Sequence, residues 1–295
     1  PLRRQRQMCI RDSYICLQNI SMYTEYQPSH LLVPYIDNYW EFKGNPDYGM
    51  RIHILPDGCT DFIFTLGEVA NAVEEGSLIM QPYRSYFVGP MTKYSELVTY
   101  TESIHMFGVR FLPCGLSCFT NLPLHEFVNS RVSTNEMKAV FDDTFIEKLG
   151  EQKHVTDRIR VVEEYLLAYL ARHYQPADSH VAMAVNMINH SKGKRSVRSL
   201  MDDVCLCQRH FERKFKHYTG FTPKEYSRIV KFKNAVELLR TTTSANLLTT
   251  AVDAGYYDLA HFSKEIKSMS GNTPASFLSL TVPEETTLTY IEPQR

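Results

Sequence analysis

The C-terminal part of this 295-residue chain contains two pairs of basic residues, and the two members of each pair are about one helical turn apart. Arg209 and Arg213 lie in QRHFERKFKHY, and His261 and Lys264 lie in DLAHFSKEIK. Side chains three or four residues apart share one face of a helix. An arginine guanidinium can donate two parallel hydrogen bonds to a guanine edge or a phosphate, and lysine supplies a point charge. The chemistry open to these residues is recognition of nucleic acid.

The charge of the chain is unevenly distributed. Residues 179–280 hold 15 Lys and Arg against 8 Asp and Glu, whereas the other residues hold 17 against 25. A basic part beside an acidic part is typical of a protein with one end that binds nucleic acid. A basic face that is only solvated gives the same counts, so the motifs must decide.

The basic pairs belong to a repeated segment. Phe211 and Phe262 are 51 residues apart, and the same interval separates Phe215 from Ile266, Gly220 from Gly271, Thr222 from Thr273, and Pro223 from Pro274. Each copy offers a short helix, a turn and a second helix with polar and basic residues outside. We interpret the pattern as an internally duplicated helix-turn-helix.

Turn and cap residues support this interpretation. Gly255 allows the positive φ of a tight turn, and Asp258 is suited to cap the helix that follows. Thr222 and Glu225, on either side of a proline, predict a capping box at the start of a long helix between the copies. Ser179 is expected to cap the first helix of the region.

Residues 180–280 resemble the DNA-binding domain of the AraC/XylS family of bacterial transcription regulators. GYYDLAHFSKEIK and the later GNTP fit that family's second helix-turn-helix motif. The resemblance implies seven helices and two recognition helices that enter successive major grooves of double-stranded DNA. The implied contact residues are Gln208, Arg209, Glu212 and Arg213 in the first recognition helix, and Ala260, His261, Ser263 and Lys264 in the second.

The sequence departs from the family pattern at four positions. Met201 and Cys205 stand where a small residue and a glycine are usual, and Ile266 replaces phenylalanine. Lys264 stands where arginine is common. Because lysine lacks the planar fork of arginine, base specificity at that position is in doubt, although DNA binding is not.

Residues 22–175 are predicted to form a β-rich sensor and dimerisation domain. Short alternating segments, punctuated by turns such as Leu55-Pro56-Asp57-Gly58, favour a sandwich or small barrel. The region resembles, more weakly, the cupin-like sensor domains of the same family. We therefore expect an α+β chain with a leader over 1–21 that is disordered or not native, an all-α domain over 176–280 and a tail over 281–295.

A helix near residue 160 is expected to follow the strands. Ile159, Val162, Leu166 and Tyr169 form one apolar stripe. This stripe could pack on its own domain or on a second copy of the chain, and we expect a homodimer.

The amino-terminal part lacks the marks of an active site. His53 and His105 stand isolated, so no metal and no other cofactor is predicted. Asp57 and Asp61 flank a turn and are interpreted as turn residues. Cys114 and Cys118 lack the neighbours that would activate a methyl-accepting thiol, and the seven cysteines are expected to be reduced.

A small-molecule effector is the remaining prediction for this part. Aromatic residues could line a ligand site with Arg110 as a polar anchor, the candidates being Trp40, Phe62, Phe64 and Phe107. The alternative is that these rings only fill the core.

The sequence thus predicts a cytoplasmic, dimeric transcription regulator without enzymatic activity or membrane contact, which binds DNA, an unidentified effector and RNA polymerase. Two alternatives stay open. One is an enzyme with unrecognised chemistry tethered to DNA, and the other is a constitutive DNA-binding protein whose amino-terminal half only oligomerises.

Overall fold

The computed structural model describes residues 22–74, 76–137, 140–141, 143–173, 175–204, 206–241, 247–278 and 289–291. The predictions for residues 1–21, for Cys205 and for most of the tail lie outside the described residues. None of the helices in the described ranges combines the length and apolar character needed to cross a membrane.

Two antiparallel β-sheets form the amino-terminal part. In chain order the strands are β1 (Tyr23–Tyr26), β2 (Ile36–Gly44), β3 (Met50–Ile54), β4 (Thr60–Thr65), β5 (Asn71–Ala72), β6 (Ser85–Val88), β7 (Ser95–Thr99), β8 (Ile104–Phe111), β9 (Arg131–Ser133) and β10 (Thr289–Ile291). The order is β1-β2-β8-β4-β6-β9 in one sheet and β10-β3-β7-β5 in the other. Strand β10 brings the end of the chain back to pair with β3.

The two sheets enclose one core. Trp40 and Phe42 of β2 and Ile63 of β4 pack with Ile52 and Leu97 of the smaller sheet. Side chains alternate between the two faces of a strand, so one face of each sheet supplies this core. The predicted α+β fold with an amino-terminal sandwich is confirmed.

Helices cover the outer face of the six-stranded sheet. They are α1 (Asp143–Gly150) and α2 (Val155–His173). Val162 and Leu166 of α2 are fully buried against this face, so the predicted apolar stripe packs on its own domain. On the same helix, the Glu163 carboxylate accepts hydrogen bonds from the Ser29 N–H at 2.7 Å and the Tyr39 hydroxyl at 3.3 Å.

Short 3-10 turns, and not α-helices, lie on either side of β9. Leu124–Phe127 and Thr134–Glu136 are single 3-10 turns, and β9 lies between them. Neither turn has a side chain that caps its first N–H groups. An uncapped short segment gains too few hydrogen bonds to propagate as an α-helix.

Seven α-helices follow within the described residues, as predicted. They are α3 (Ser179–His190), α4 (Val197–Val204), α5 (Gln208–Thr219), α6 (Pro223–Thr241), α7 (Leu247–Asp253), α8 (Leu259–Ser270) and α9 (Pro274–Leu278). Helix α6 joins the two copies of the repeat, so α4 with α5 and α7 with α8 form the two helix-turn-helix units.

Most predicted caps are present. The Asp258 carboxylate accepts from the His261 N–H at 2.7 Å, and Thr222 and Glu225 exchange the two hydrogen bonds of a capping box. The prediction for Ser179 is wrong by one residue. Asp178 caps α3, because its carboxylate accepts from the N–H groups of the two residues after Ser179.

The sheets and the helical region meet at the turn between β3 and β4. Leu55 of that turn lies in the same buried cluster as the helical core. Gly58 has a φ of 86°, and a Cβ there would lie 2.7 Å from the Tyr226 ring on α6. Lys233 of α6 donates to the Asp57 carbonyl oxygen at 3.4 Å. The predicted turn is therefore also a contact between the two regions.

Candidate nucleic-acid interface

Helices α5 and α8 are held by equivalent residues. Phe211 and Phe215 of α5, like Phe262 and Ile266 of α8, are fully buried. Each helix ends at a glycine in the left-handed region, with φ of 83° at 220 and 75° at 271. The spacing of the repeat therefore fixes both the inward face and the end of each helix.

A further equivalence was not found from the sequence. Thr219 and Ser270 are also 51 residues apart, and both hydroxyls donate at 2.7 Å to the carbonyl four residues earlier, in Phe215 and Ile266. Each hydroxyl also accepts from the N–H two residues later. Threonine and serine share a hydroxyl, so comparison by identity alone misses a pair that comparison by chemistry would find.

The residues predicted to contact DNA lie on the outer faces of these helices. Six are exposed, namely Gln208, Arg209, Arg213, Ala260, His261 and Lys264, and Glu212 and Ser263 are partly exposed. Within the described part of the chain neither Arg209 nor Arg213 has an ion-pair partner. Both guanidinium groups are therefore available to an external anion or base edge.

Glu212 and His261 are already engaged within the protein. The Gln208 amide donates to the Glu212 carboxylate at 2.9 Å, so these two side chains lie side by side on α5. The His261 ring lies edge-on to the Tyr256 ring at 5.5 Å. Contact between Glu212 and an approaching base would compete with the hydrogen bond from Gln208.

A basic cleft beside α8 was not predicted. It has a volume of about 470 Å³ and is lined by residues that include Lys194, Lys224, Arg228, Lys231 and His261. The Arg228 guanidinium binds the Glu265 carboxylate at 2.9 and 3.0 Å. Lys194 and Lys224 are exposed, so they offer charge to an anion in the cleft.

Lys231 lines the inner wall of this cleft. Its ammonium donates to the Gly255 carbonyl oxygen at 3.2 Å and lies 5.5 Å from the centre of the Tyr256 ring. Burial lowers the pKa of Lys231, and nearby Lys194 adds to the effect against the opposing charge of Glu265. An anion in the cleft would offset that unfavourable charge.

The five residues predicted to line one ligand site do not lie together. Phe62, Phe64 and Phe107 face the helices that cover the six-stranded sheet. Trp40 faces the smaller sheet, and the register places it opposite Gly108. Since successive side chains of a strand point to opposite faces, the sheet itself separates the two groups.

Arg110 lies in a buried group of charges. Its Nε atom is 3.2 Å from the Asp61 carboxylate and 3.5 Å from that of Asp57, and its Nη1 atom is 3.8 Å from that of Glu25. The Trp40 indole N–H also donates to Asp61 at 2.7 Å. Arg110 is therefore the shared counter-charge of these carboxylates, and its predicted role as an open anchor for a ligand does not fit the geometry.

Asp57 has the turn role that was predicted. Its carboxylate accepts from the N–H of Cys59 at 2.8 Å, which fixes the turn before β4. Burial raises the pKa of Asp61, and the nearby Arg110 opposes that rise. The turn role predicted for Asp61 is wrong, because Asp61 lies within β4 and its carboxylate accepts from Trp40 and Arg110.

A separate cavity lies between the end of α2 and the chain that follows the 3-10 turn Leu116–Cys118. Its volume is about 420 Å³, and its lining includes Phe119, Asn121, Tyr169 and His173. Its lining mixes aromatic rings with polar groups, and it is partly open to solvent. It differs from the ligand site predicted from the sequence.

The described residues were predicted to bind no metal and to carry unreactive thiols. Over the described ranges no group of three or more His, Cys, Asp or Glu could hold a metal ion. Burial raises the pKa of the Cys114 and Cys118 thiols, so both stay protonated and unreactive.

We expect acid to weaken the contact between the two regions at α5. Burial lowers the pKa of His217, and the facing His125 adds to this effect against the opposing charge of Glu126. A depressed histidine pKa means that the unfolded chain binds more protons, so stability is complete above the ordinary pKa of about 6.5 and falls as the pH drops below it.

Urea unfolding at about pH 7.5 and pH 5.5 measures this effect. The wild type should lose more stability between the two pH values than His217→Gln does. Equal losses in the two proteins would contradict the assignment to His217.

Comparison with known proteins gives two family matches. Residues 200–279 match a family described as a helix-turn-helix domain, and residues 24–133 match one described as a domain of unknown function, DUF6597. No curated protein matches the chain.

The solved structures that align with the chain include the following three. ToxT from Vibrio cholerae is similar over 83% of this chain and 99% of its own, with a TM-score of 0.50 and 10% identity. ToxT from Vibrio cholerae with a bound unsaturated fatty acid aligns over 81% of this chain and 94% of its own, with a TM-score of 0.47 and 11% identity. A probable AraC family transcriptional regulator from Rhodopseudomonas palustris aligns over 35% of this chain and 96% of its own, with a TM-score of 0.32 and 20% identity.

The fold and the duplicated unit define the class, a helix-turn-helix DNA-binding protein with a β-rich amino-terminal part. Within that class, the predicted helix-turn-helix domain is confirmed by the match over residues 200–279, and the predicted two-part fold is also that of ToxT.

Proposed function

We propose that this chain is a sequence-specific transcription regulator whose helices α5 and α8 enter successive major grooves of DNA. The observation that carries the proposal is the equivalence of the two helices. Both are anchored by buried residues at the same spacing, end at a left-handed glycine and expose basic side chains. Two equivalent reading elements joined by one helix suit two successive grooves of a duplex.

The roles of the exposed residues follow from their chemistry. Arg209 and Arg213, free of ion pairs in the described residues, read guanine edges from α5. Lys264 meets a phosphate or base edge from α8, and Gln208, Glu212, Ala260, His261 and Ser263 complete the two faces. Lys194 and Lys224 place a backbone phosphate at the mouth of the basic cleft, which strengthens binding to any sequence.

The proposed organisation assigns residues 22–175 to sensing and dimerisation and residues 176–280 to DNA. The protein acts in the cytoplasm as a homodimer and a regulator that contacts RNA polymerase, and it has no catalytic role. The cavity beside α2 is the proposed effector site. An effector there regulates only if it binds the DNA-bound and free arrangements with different affinity.

Selection of duplexes from a random library by the full chain tests this function. We expect enrichment of two short sequences about one helical turn apart. For the selected duplex, Arg213→Ala should lose about 1–3 kcal/mol of preference over a shuffled duplex, because one guanine reader is gone. Fluorescence anisotropy on both duplexes measures that preference.

The matched control is Lys194→Ala. Because a phosphate contact is blind to sequence, this variant should weaken binding to both duplexes alike and reduce the slope of log affinity against log salt by about 1. If no sequence is enriched, or if Arg213→Ala keeps the full preference, the proposed reading of DNA is wrong.

A further inference from the structure

One loop of the amino-terminal part contacts the ends of both recognition helices. It connects β6 to β7 and consists of residues 89–94, Gly-Pro-Met-Thr-Lys-Tyr, called here the bridging loop. Its two ends reach repeat-equivalent positions, since Pro90 contacts Gly220 and Tyr94 contacts Gly271.

The first contact lies at the end of α5. A Cβ built on Gly220 would lie 2.5 Å from Cγ of Pro90 and 3.2 Å from the Leu124 carbonyl oxygen. Gly220 is buried, and its N–H closes α5 by donating to the Lys216 carbonyl oxygen at 2.9 Å. The glycine therefore serves two purposes, because it supplies the left-handed cap and leaves room for the loop.

The second contact lies at the end of α8. A Cβ on Gly271 would lie 2.7 Å from Cζ of the Tyr94 ring. The Tyr94 ring packs on the core of the helical region and stacks on the His53 ring of β3 at 5.8 Å. The second recognition helix is thus connected to the four-stranded sheet through one side chain.

Hydrogen bonds hold the bridging loop in shape. The Gly89 N–H donates to the Ser130 carbonyl oxygen at 3.0 Å, and the Asn129 N–H donates to that of Pro90 at 2.9 Å. The Asn129 side chain accepts from the Thr92 N–H at 2.9 Å. These bonds fix residues 89–92 to the segment before β9, and Tyr94 at the other end directly precedes β7. The distance between the two contacts is therefore set by the amino-terminal part.

We propose that the bridging loop holds α5 and α8 at a fixed separation, and that Pro90 and Tyr94 thereby set which spacing between two DNA elements the protein accepts. This inference rests on the proposed function. Adjacent grooves on one face of DNA repeat every ~34–36 Å, so a small tilt of one helix shifts the preferred spacing. Helix α6 joins the helices at one side, and the loop restrains their C-terminal ends.

The same arrangement gives the amino-terminal part a route to DNA. Any change that moves β6 relative to β7 moves the two loop contacts and hence the two recognition helices. Pro90 and Tyr94 act as positioning residues, since each touches a helix end and neither lies on the exposed faces that meet DNA.

Two measurements on the full chain test the proposal with Pro90→Ala, Tyr94→Ala and the control Tyr100→Ala. Tyr100 lies just after β7, is 59% exposed and contacts only the Tyr48 ring among the ring pairs described. The first measurement is amide hydrogen exchange. Pro90→Ala should speed exchange in the last turn of α5, Tyr94→Ala should do so in the last turn of α8, and the control should do neither.

The second measurement uses the duplex selected by the wild type and versions with one base pair added or removed between the two elements. We expect the wild type to discriminate against altered spacing by on the order of tenfold or more, as for a typical coupling between sites. Pro90→Ala and Tyr94→Ala should lose most of that discrimination while Tyr100→Ala keeps it. General destabilisation would weaken binding to every spacing equally.

Failure of the loop proposal and failure of the proposed function give different results. Unchanged exchange at both helix ends, or unchanged discrimination in both loop variants, overturns the role of the loop while DNA selection stands. A wild type that selects no DNA overturns the proposed function and with it the claim on spacing.

Discussion

Replacement of Arg110 by alanine is expected to destabilise the protein by about 3–5 kcal/mol, because it leaves buried carboxylates without their counter-charge. The guanidinium lies within 3.8 Å of carboxylate oxygens from Glu25, Asp57 and Asp61. Breaking a buried pair by removing one partner costs far more than the pair itself contributes, since the remaining charges stay desolvated. Urea unfolding of Arg110→Ala at neutral pH measures the loss.

The matched control for Arg110 is Arg51→Ala. Arg51 pairs with Glu96 between neighbouring strands, but 52% of its side chain is exposed. Exposed ion pairs are worth about 0–1 kcal/mol, so this variant should stay close to the wild type. Equal losses for the two variants would mean that burial of the Arg110 group has no special consequence.

Phe262→Ala is expected to cost about 3–5 kcal/mol, the usual loss when a fully buried phenylalanine is cut back to alanine. Phe262 has no exposed surface, and its ring meets the Tyr256 ring at 5.2 Å. It anchors α8 to the helical core, so its loss should also reduce affinity for the selected duplex. Thermal or urea unfolding and anisotropy measure the two effects.

Two control variants test whether the loss in Phe262→Ala comes from its burial. Phe211→Ala at the equivalent position of α5 should cost a similar amount, because the repeat buries both rings completely. Leu259→Ala, at a site 37% exposed at the start of α8, should stay within about 1 kcal/mol of the wild type. A loss for Phe262→Ala no larger than that for Leu259→Ala would contradict its role as an anchor.

Local features of the helical region could be predicted from the sequence. Caps, glycine turns and apolar spacing act over a few residues, so Thr222, Asp258 and Gly271 show their roles in the sequence itself. The duplication strengthened each prediction, because a weak pattern seldom occurs twice at the same interval by chance. The error at Ser179 arose because Asp178, its equally suitable neighbour, supplies the cap.

The amino-terminal site could not be predicted in the same way. Asp61 and Arg110 meet because β4 and β8 pair in a register that places them opposite each other, 49 residues apart in the chain. Alternation shows that neighbouring side chains face opposite ways, but it does not show which face of β2 matches which face of β4. The ligand site assembled from Trp40 and Phe62 therefore joined residues that a sheet separates.

Contacts between the amino-terminal part and the helical region could not be predicted from the sequence either. Gly58 meets Tyr226 across 168 residues, and Gly220 and Gly271 were recognised as caps without any sign that Pro90 and Tyr94 lie against them. A glycine that satisfies one local requirement gives no separate indication of a second, distant one.

The most direct test of the central claim is fluorescence anisotropy of the full chain on the selected duplex and a shuffled duplex across a series of salt concentrations. The account predicts that affinity for both falls as salt rises, because basic residues displace counterions from phosphates. It also predicts a preference for the selected duplex on the order of a thousandfold or more, as is typical of specific recognition. Equal weak binding to the two duplexes, or no binding at low salt, would contradict it.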